Sequence, residues 1–239
     1  MTDLHELVDG LTTIVVDGGD RAPERICAAC VAALPVTGAA ITVMSGPQQQ
    51  QLICATDELI RDLDELQFRL GEGPGVDAFI HGRPIFIADL NNIGDSRWPV
   101  YAAAARRTPA RAQYVLPLQA GSIGVGVLDL YHVQPGPLSP VALTGALRVA
   151  DAALWTLLGL RSGGTLGDGE MAHDVAPNDW LRGAPLQRIQ VYQATGMIIA
   201  QLDVDAETAL AWLRAHAFEH EESLDAVASV LRPKFVEEL

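Results

Sequence analysis

The sequence predicts an α+β protein in which an antiparallel sheet with flanking helices is followed by a small all-α unit of three helices. Three observations carry this. Five strand-like runs lie between residues 39 and 132, helical periodicities flank them at 4–15, 23–34 and 141–160, and residues 186–231 hold three further amphipathic stretches.

Taken in order, Leu4, Leu7, Leu11 and Ile14 or Val15 trace the apolar stripe of a first helix, and residues 23–34 form a second. Strand-like runs follow at 39–44, 51–56, 84–90, 113–118 and 125–132. Gly46-Pro47 is a turn signal, so the first two runs read as a hairpin, and residues 76–81 read as a short helix after a glycine-rich turn. Strands joined partly by hairpins and partly by helices imply a mainly antiparallel sheet. The stretch 141–160 is apolar enough to consider for a membrane span, but Arg148 and Asp151 interrupt it. It reads instead as an amphipathic helix whose stripe of Leu147, Ala150, Leu154 and Leu157, together with the N-terminal helix, pairs two copies of the chain.

Residues 161–179, with Gly163, Gly164, Gly167, Gly169 and Pro177, read as a flexible linker. Beyond it, Val191, Ala194, Ile198 and Leu202 line one helical stripe, and Ile189, Tyr192 and Ile199 a second. Asp205 is placed to cap the next helix, with Glu207 in its first turn and Ala206, Ala209, Leu210, Leu213 and Ala217 on its apolar face. Ser223 is placed to cap a third, carrying Leu224, Val227, Ala228 and Leu231 before Pro233. Pattern alone makes this a helical bundle, a shape that more often binds proteins than nucleic acids.

Composition narrows the class. With 239 residues, 49% hydrophobic and 19% charged, the chain is globular with ample core. A net charge of -14 opposes non-specific attraction to nucleic acids and anionic membranes. The acidic opening Met1-Thr2-Asp3 lacks the pattern of a secretion signal, so a cytoplasmic, non-membrane protein is expected. Cys27, Cys30 and Cys54 suit a reducing compartment. Cys27 and Cys30 have CxxC spacing, but they fall inside a helix and not at its start, so they read as buried structural thiols; zinc lacks a second ligand pair.

The order Ala194, Gly196, Glu207, Ala209, Leu213-Arg214, Ala217, Leu224, Val227-Ala228 resembles the ANTAR domain, the RNA-binding output module of bacterial antitermination regulators, here of actinobacterial type. The resemblance implies a dimer that binds two successive stem-loops in nascent mRNA and so prevents a terminator hairpin. The positions it points to are Arg188, Ala194, Thr195, Gly196, Arg214, His216 and His220. Gly and Ala strip side chains from a patch so that RNA approaches closely, and arginine pairs with phosphate or stacks on unpaired bases. Arg214 is expected to be exposed, Tyr192 to belong to the core, and Trp212 is open between core and base stacking. Residues 186–239 carry four basic against nine acidic residues, and Thr195 stands where many members have Lys, so binding is expected to be weak and salt-sensitive.

A second resemblance covers residues 20–160. Leu70-Gly71-Glu72-Gly73-Pro74, Asp77-Ala78, Pro84-Ile85, Asp89-Leu90, Arg97-Trp98-Pro99, Leu116-Pro117-Leu118 and Gly126-Val127-Leu128-Asp129-Leu130-Tyr131 are similar to a GAF domain, a sensory module that commonly precedes ANTAR. It implies a pocket between sheet and covering helices for a small-molecule ligand of unknown identity. Gly71, Gly73 and Gly75 read as a plain turn in preference to an anion cradle. Gly75 replaces the Cys many relatives carry, which disfavours a thiol-based reductase, and His81 and His132 read as structural or exposed and not as haem ligands.

The expected organisation is therefore a sensor at 1–160, a linker at 161–179 and an RNA-binding domain at 180–239. The expected function is a cytoplasmic, signal-responsive regulator that binds structured, double stem-loop RNA and prevents termination, without a catalytic site or cofactor. The alternative is a ligand sensor whose helical module docks a protein partner and not RNA.

Overall fold

The computed structural model describes residues 4–93, 97–161 and 188–236. Helices α1 (Leu4–Asp17) and α2 (Ala22–Ala33) lead into the hairpin β1 (Gly38–Gly46) and β2 (Gln49–Ala55). Next come α3 (Glu58–Leu70), α4 (Pro74–His81), β3 (Ile85–Ile87), a 3-10 turn at Leu90–Asn92 and α5 (Pro99–Ala105). A second hairpin, β4 (Ala112–Ala120) and β5 (Ile123–His132), precedes the long helix α6 (Pro140–Arg161). Helices α7 (Ile189–Leu202), α8 (Ala206–Glu219) and α9 (Leu224–Val236) complete the chain. It divides into two compact units, one built from α1 to α6 with the sheet and one from α7 to α9. The glycine-rich stretch beyond Arg161 lies outside the described residues.

The sheet is antiparallel throughout, in the order β2-β1-β5-β4-β3. Side chains alternate across a strand, and here both faces are buried. Ile41, Val43, Tyr114, Leu116, Leu128 and Leu130 meet Leu7, Leu11, Ile26, Cys27, Val149, Ala153 and Leu157 in one apolar core. Thr42, Gln113 and Asp129, out of phase with those residues, are buried too. Gly126 lets β1 and β5 close, because a Cβ there would stand 2.1 Å from the Thr42 carbonyl oxygen.

Two expectations about elements change. The strand expected at 84–90 is only Ile85–Ile87, because the Asp89 side chain accepts from the Asn91 amide at 2.9 Å and turns the chain into the 3-10 segment. Helix α6 is long and apolar enough to cross a membrane, yet more than half of it is buried in the protein. The stripe expected to pair two copies points inward: Ala150, Leu154 and Leu157 are in the core, and only Leu147 remains exposed. The outer face of α6 carries Val141, Arg148, Asp151 and Trp155.

Candidate functional site

In the C-terminal unit, α7 packs on α8 and α9, and α8 on α9. Val191, Ala194, Ile198, Leu210, Leu213, Ala217, Leu224 and Val227 are buried, as their helical spacing requires. Asp205 caps α8 by accepting from the Thr208 amide at 2.7 Å, a bond that holds its carboxyl below the usual range. Ser223 accepts from the Ala226 amide at 3.1 Å and starts α9. Asp203 and Glu221 adopt left-handed backbone at φ 52 and 55, ending α7 and closing the α8–α9 turn.

The expected contact residues divide into three groups. Ala194 and Thr195 face inward; Thr195 is 7% exposed and donates its hydroxyl to the Val191 carbonyl at 2.7 Å. Their contribution is therefore to the packing of α7, and the close-approach patch expected there narrows to Gly196. Gly196 is exposed, and a Cβ added to it would meet nothing within 4 Å, so tight packing among the described residues does not demand glycine there.

Arg188, at the N-terminal end of α7, and Arg214, on α8, form the second group. Burial lowers the Arg214 guanidinium to about 10; Tyr192 pulls it upward and the Arg188 charge lowers it, which places all three side chains in one electrostatic neighbourhood. Arg214 remains a cation at neutral pH. Its exposure falls short of the sequence expectation: Arg214 is half-buried and Arg188 only 4% exposed, and both already hold polar or charged partners. Tyr192, read from its spacing as core, is half-buried beside these cations. Its four-residue interval from both Arg188 and Gly196 was the available signal, since residues four apart share a helix flank.

His216 and His220 form the third group. Both are exposed, their rings stacked with centroids 4.1 Å apart, and the His220 Nδ1 lies 2.9 Å from the His216 carbonyl oxygen. Trp212, 61% exposed, precedes His216 by one helical turn, whereas Arg214 lies two positions after Trp212, about 160° around the helix. His216 thus accompanies Trp212, Asp205, Glu207 and Glu219 in a shallow groove, away from the arginines.

In the N-terminal unit the polar face of the sheet forms a second candidate site. Asp129 on β5 accepts from the Gln113 amide nitrogen at 3.0 and 2.8 Å and from that of Gln67 on α3 at 3.0 Å. The Tyr101 hydroxyl of α5 donates to the Gln113 carbonyl oxygen at 2.5 Å, and the Gly75 amide donates to that of Gln67 at 2.5 Å. Thr42 donates to Asp64 at 2.6 Å. Burial pushes the Asp129 carboxyl up to about 7; the amides of Gln113 and Gln67 oppose this and the charge of Asp64 adds to it.

The motif residues around this cluster are mainly structural ties. Gly73 has φ 144, and a Cβ on Gly73 or Gly75 would meet Gln67 at 2.7 or 2.9 Å. Glu72 accepts from the Val100 and Tyr101 amides, both at 2.8 Å, at the start of α5. Arg97 pairs with Asp77 at 3.2 Å and lies 4.6 Å from the Trp98 ring centre. His132 shares a 2.8 Å hydrogen bond with Thr37, and His81 is exposed. Cys27, Cys30 and Cys54 are buried free thiols, with the Cys27 and Cys54 sulfurs 3.1 Å apart; their mutual hydrogen bond and burial push the Cys27 thiol upward, and burial takes Cys30 to about 12.

Among curated proteins no sequence match to the chain is found. Among solved structures, the N-terminal fold is similar to the GAF domain of a phosphoenolpyruvate-protein phosphotransferase from Coxiella burnetii, with 13% identity and a TM-score of 0.54 over 67% of this chain and 96% of that one. It is also similar to free methionine-R-sulfoxide reductase from Neisseria meningitidis, solved with its substrate, with 14% identity and a TM-score of 0.51 over 67% and 91% of the two chains. Such identities establish the fold alone. Residues 180–231 match the ANTAR domain, so the chain joins a GAF-like fold to a C-terminal ANTAR domain.

Proposed function

We propose that the chain is a cytoplasmic, signal-responsive regulator, and not a catalyst, whose C-terminal unit binds structured double stem-loop RNA and prevents transcription termination. The observation that carries this reading is the convergence of Arg188, Tyr192 and Arg214 inside the ANTAR stretch. Two guanidinium groups and a phenol in one electrostatic neighbourhood suit phosphate pairing and stacking on an unpaired loop base. Gly196, His216 and His220 are the further surface positions of the expected set. Since the arginines are largely covered, binding of this kind includes a step that exposes them.

The regulator acts as a homodimer in this reading, with the outer face of α6 as the contact. Trp155 on that face is 59% exposed, and a two-fold contact would bury it against its own copy.

Fluorescence-anisotropy titration of the dimer against a labelled double-hairpin RNA at low salt tests the function. Affinity that falls with salt and with Arg214→Ala, while the helical signal stays unchanged, supports it; no binding below about 100 µM, the weak end of non-specific contacts, overturns it. A second reading, docking of a protein partner, is favoured by one feature. The α8 groove places Trp212 among Asp205, Glu207 and Glu219, and Phe218 nearby is 70% exposed, an acidic and apolar surface unsuited to phosphate.

A further inference from the structure

Two carboxyl groups, Asp64 and Asp129, are buried on the polar face of the sheet at 4% and 3% exposure. The groups that act on Asp129 are the amides of Gln113 and Gln67 and the carboxyl of Asp64, with no guanidinium or ammonium among them. Neutral donors offset only part of the cost of burying a charge, and a second acid raises that cost. Five elements contribute to this cluster besides β5. Helix α3 supplies Gln67 and Asp64, α5 supplies the Tyr101 hydroxyl, α4 supplies the Gly75 amide through Gln67, β4 supplies Gln113, and β1 supplies Thr42. Among the described residues, the titratable groups that act on Asp129 or are acted on by it are Asp64 and Tyr101.

We propose that Asp129 is a proton switch: its carboxyl, held between Gln67 and Gln113 with Asp64 as neighbour, takes up a proton at the acidic end of the neutral range and releases it at the alkaline end. The proposal rests on the reading of this unit as a sensor and names the proton as its signal.

The network shows how the change spreads. When ionised, Asp129 accepts from both glutamine amides. When protonated, one of its oxygens becomes a donor, and the Gln113 amide, which lies against both oxygens, has to turn to present its carbonyl. That turn withdraws the acceptor from the Tyr101 hydroxyl on α5. With the proton on Oδ1, Oδ2 goes on accepting from Gln67, whose other end holds the Gly75 amide at the start of α4. One proton thus alters the seating of α5 on this face.

The test compares the full-length protein with Asp129→Asn by chemical denaturation from pH 5 to 8.5, without RNA, so that failure of RNA binding leaves its outcome untouched. Because the folded-state pKa is raised, the stability associated with a neutral Asp129 is fully present below the unfolded value near 4 and is lost as pH rises to about 7. The wild-type unfolding constant should therefore grow, relative to the variant, by about tenfold per pH unit between about pH 5 and 7, and level off above. Parallel profiles overturn the proposal. If the Asn variant does not fold, infrared spectra of the wild-type protein decide: a carbonyl band of protonated carboxylic acid that disappears with a midpoint between pH 6 and 8 supports the switch, and its absence at pH 6 overturns it.

Discussion

Gln67 and Asp129, 62 positions apart in the chain, meet in a buried hydrogen bond of 3.0 Å, while the other end of the same glutamine holds the Gly75 amide at 2.5 Å. One side chain therefore ties α3 to the central strand β5 and to the start of α4. Gln67→Leu keeps the bulk but orphans a buried amide and removes a donor from Asp129, so it should cost about 1–3 kcal/mol. Urea denaturation at pH 7 measures this. An unchanged midpoint would mean that the network adds nothing to the fold.

Arg214 tests the RNA reading through charge. Removing one phosphate contact lowers the salt dependence by about one ion along with the affinity. Arg214→Ala should therefore weaken hairpin binding and reduce the slope of log affinity against log salt by about 1, and Arg214→Lys should recover the slope better than the affinity, because lysine keeps the charge without the planar fork. Anisotropy titrations at several salt concentrations distinguish these. Equal slopes for wild type and Arg214→Ala would exclude a phosphate contact.

Gly196 separates stability from recognition. Its surroundings are open, so Gly196→Ala should fit without strain and stabilise α7 by roughly 0.5–1 kcal/mol through the better helix propensity of alanine. If RNA approaches the backbone there, the same methyl should weaken binding. Thermal unfolding combined with RNA titration gives the two signs, and an unchanged affinity would assign Gly196 no part in contact.

What could be read beforehand follows from how local each signal is. The sheet was legible because Leu128 and Leu130 alternate with Asp129 and Tyr131, and the caps because Asp205 and Ser223 act within three residues of themselves. Helix α3 went unread although Ile60, Leu63, Gln67 and Phe68 recur at helical spacing, as did α5, where a run of alanines follows Trp98-Pro99. The network around Asp129 was not legible: a glutamine amide becomes a carboxylate partner only when the fold brings residues 67, 113 and 129 together. For the same reason, helical spacing marked Arg214 as a surface residue and carried no sign of the environment that half-buries it.

Trp155 decides whether the outer face of α6 joins two copies. The inward stripe of α6 is consumed by its own core, which leaves Val141 at 62%, Leu147 at 45% and Trp155 at 59% exposed, with the Arg148–Asp151 pair at 3.8 Å between the last two. A buried tryptophan contributes one of the largest apolar areas of any side chain, and a two-fold contact counts each substitution twice. Trp155→Glu replaces two such areas by two like charges, so it should raise the dimer dissociation constant at least tenfold and leave the monomer folded, since residue 155 is not part of the core. Sedimentation equilibrium with circular dichroism on the same samples checks both halves. A variant that remains as dimeric as the wild type would move the dimer contact away from this face of α6.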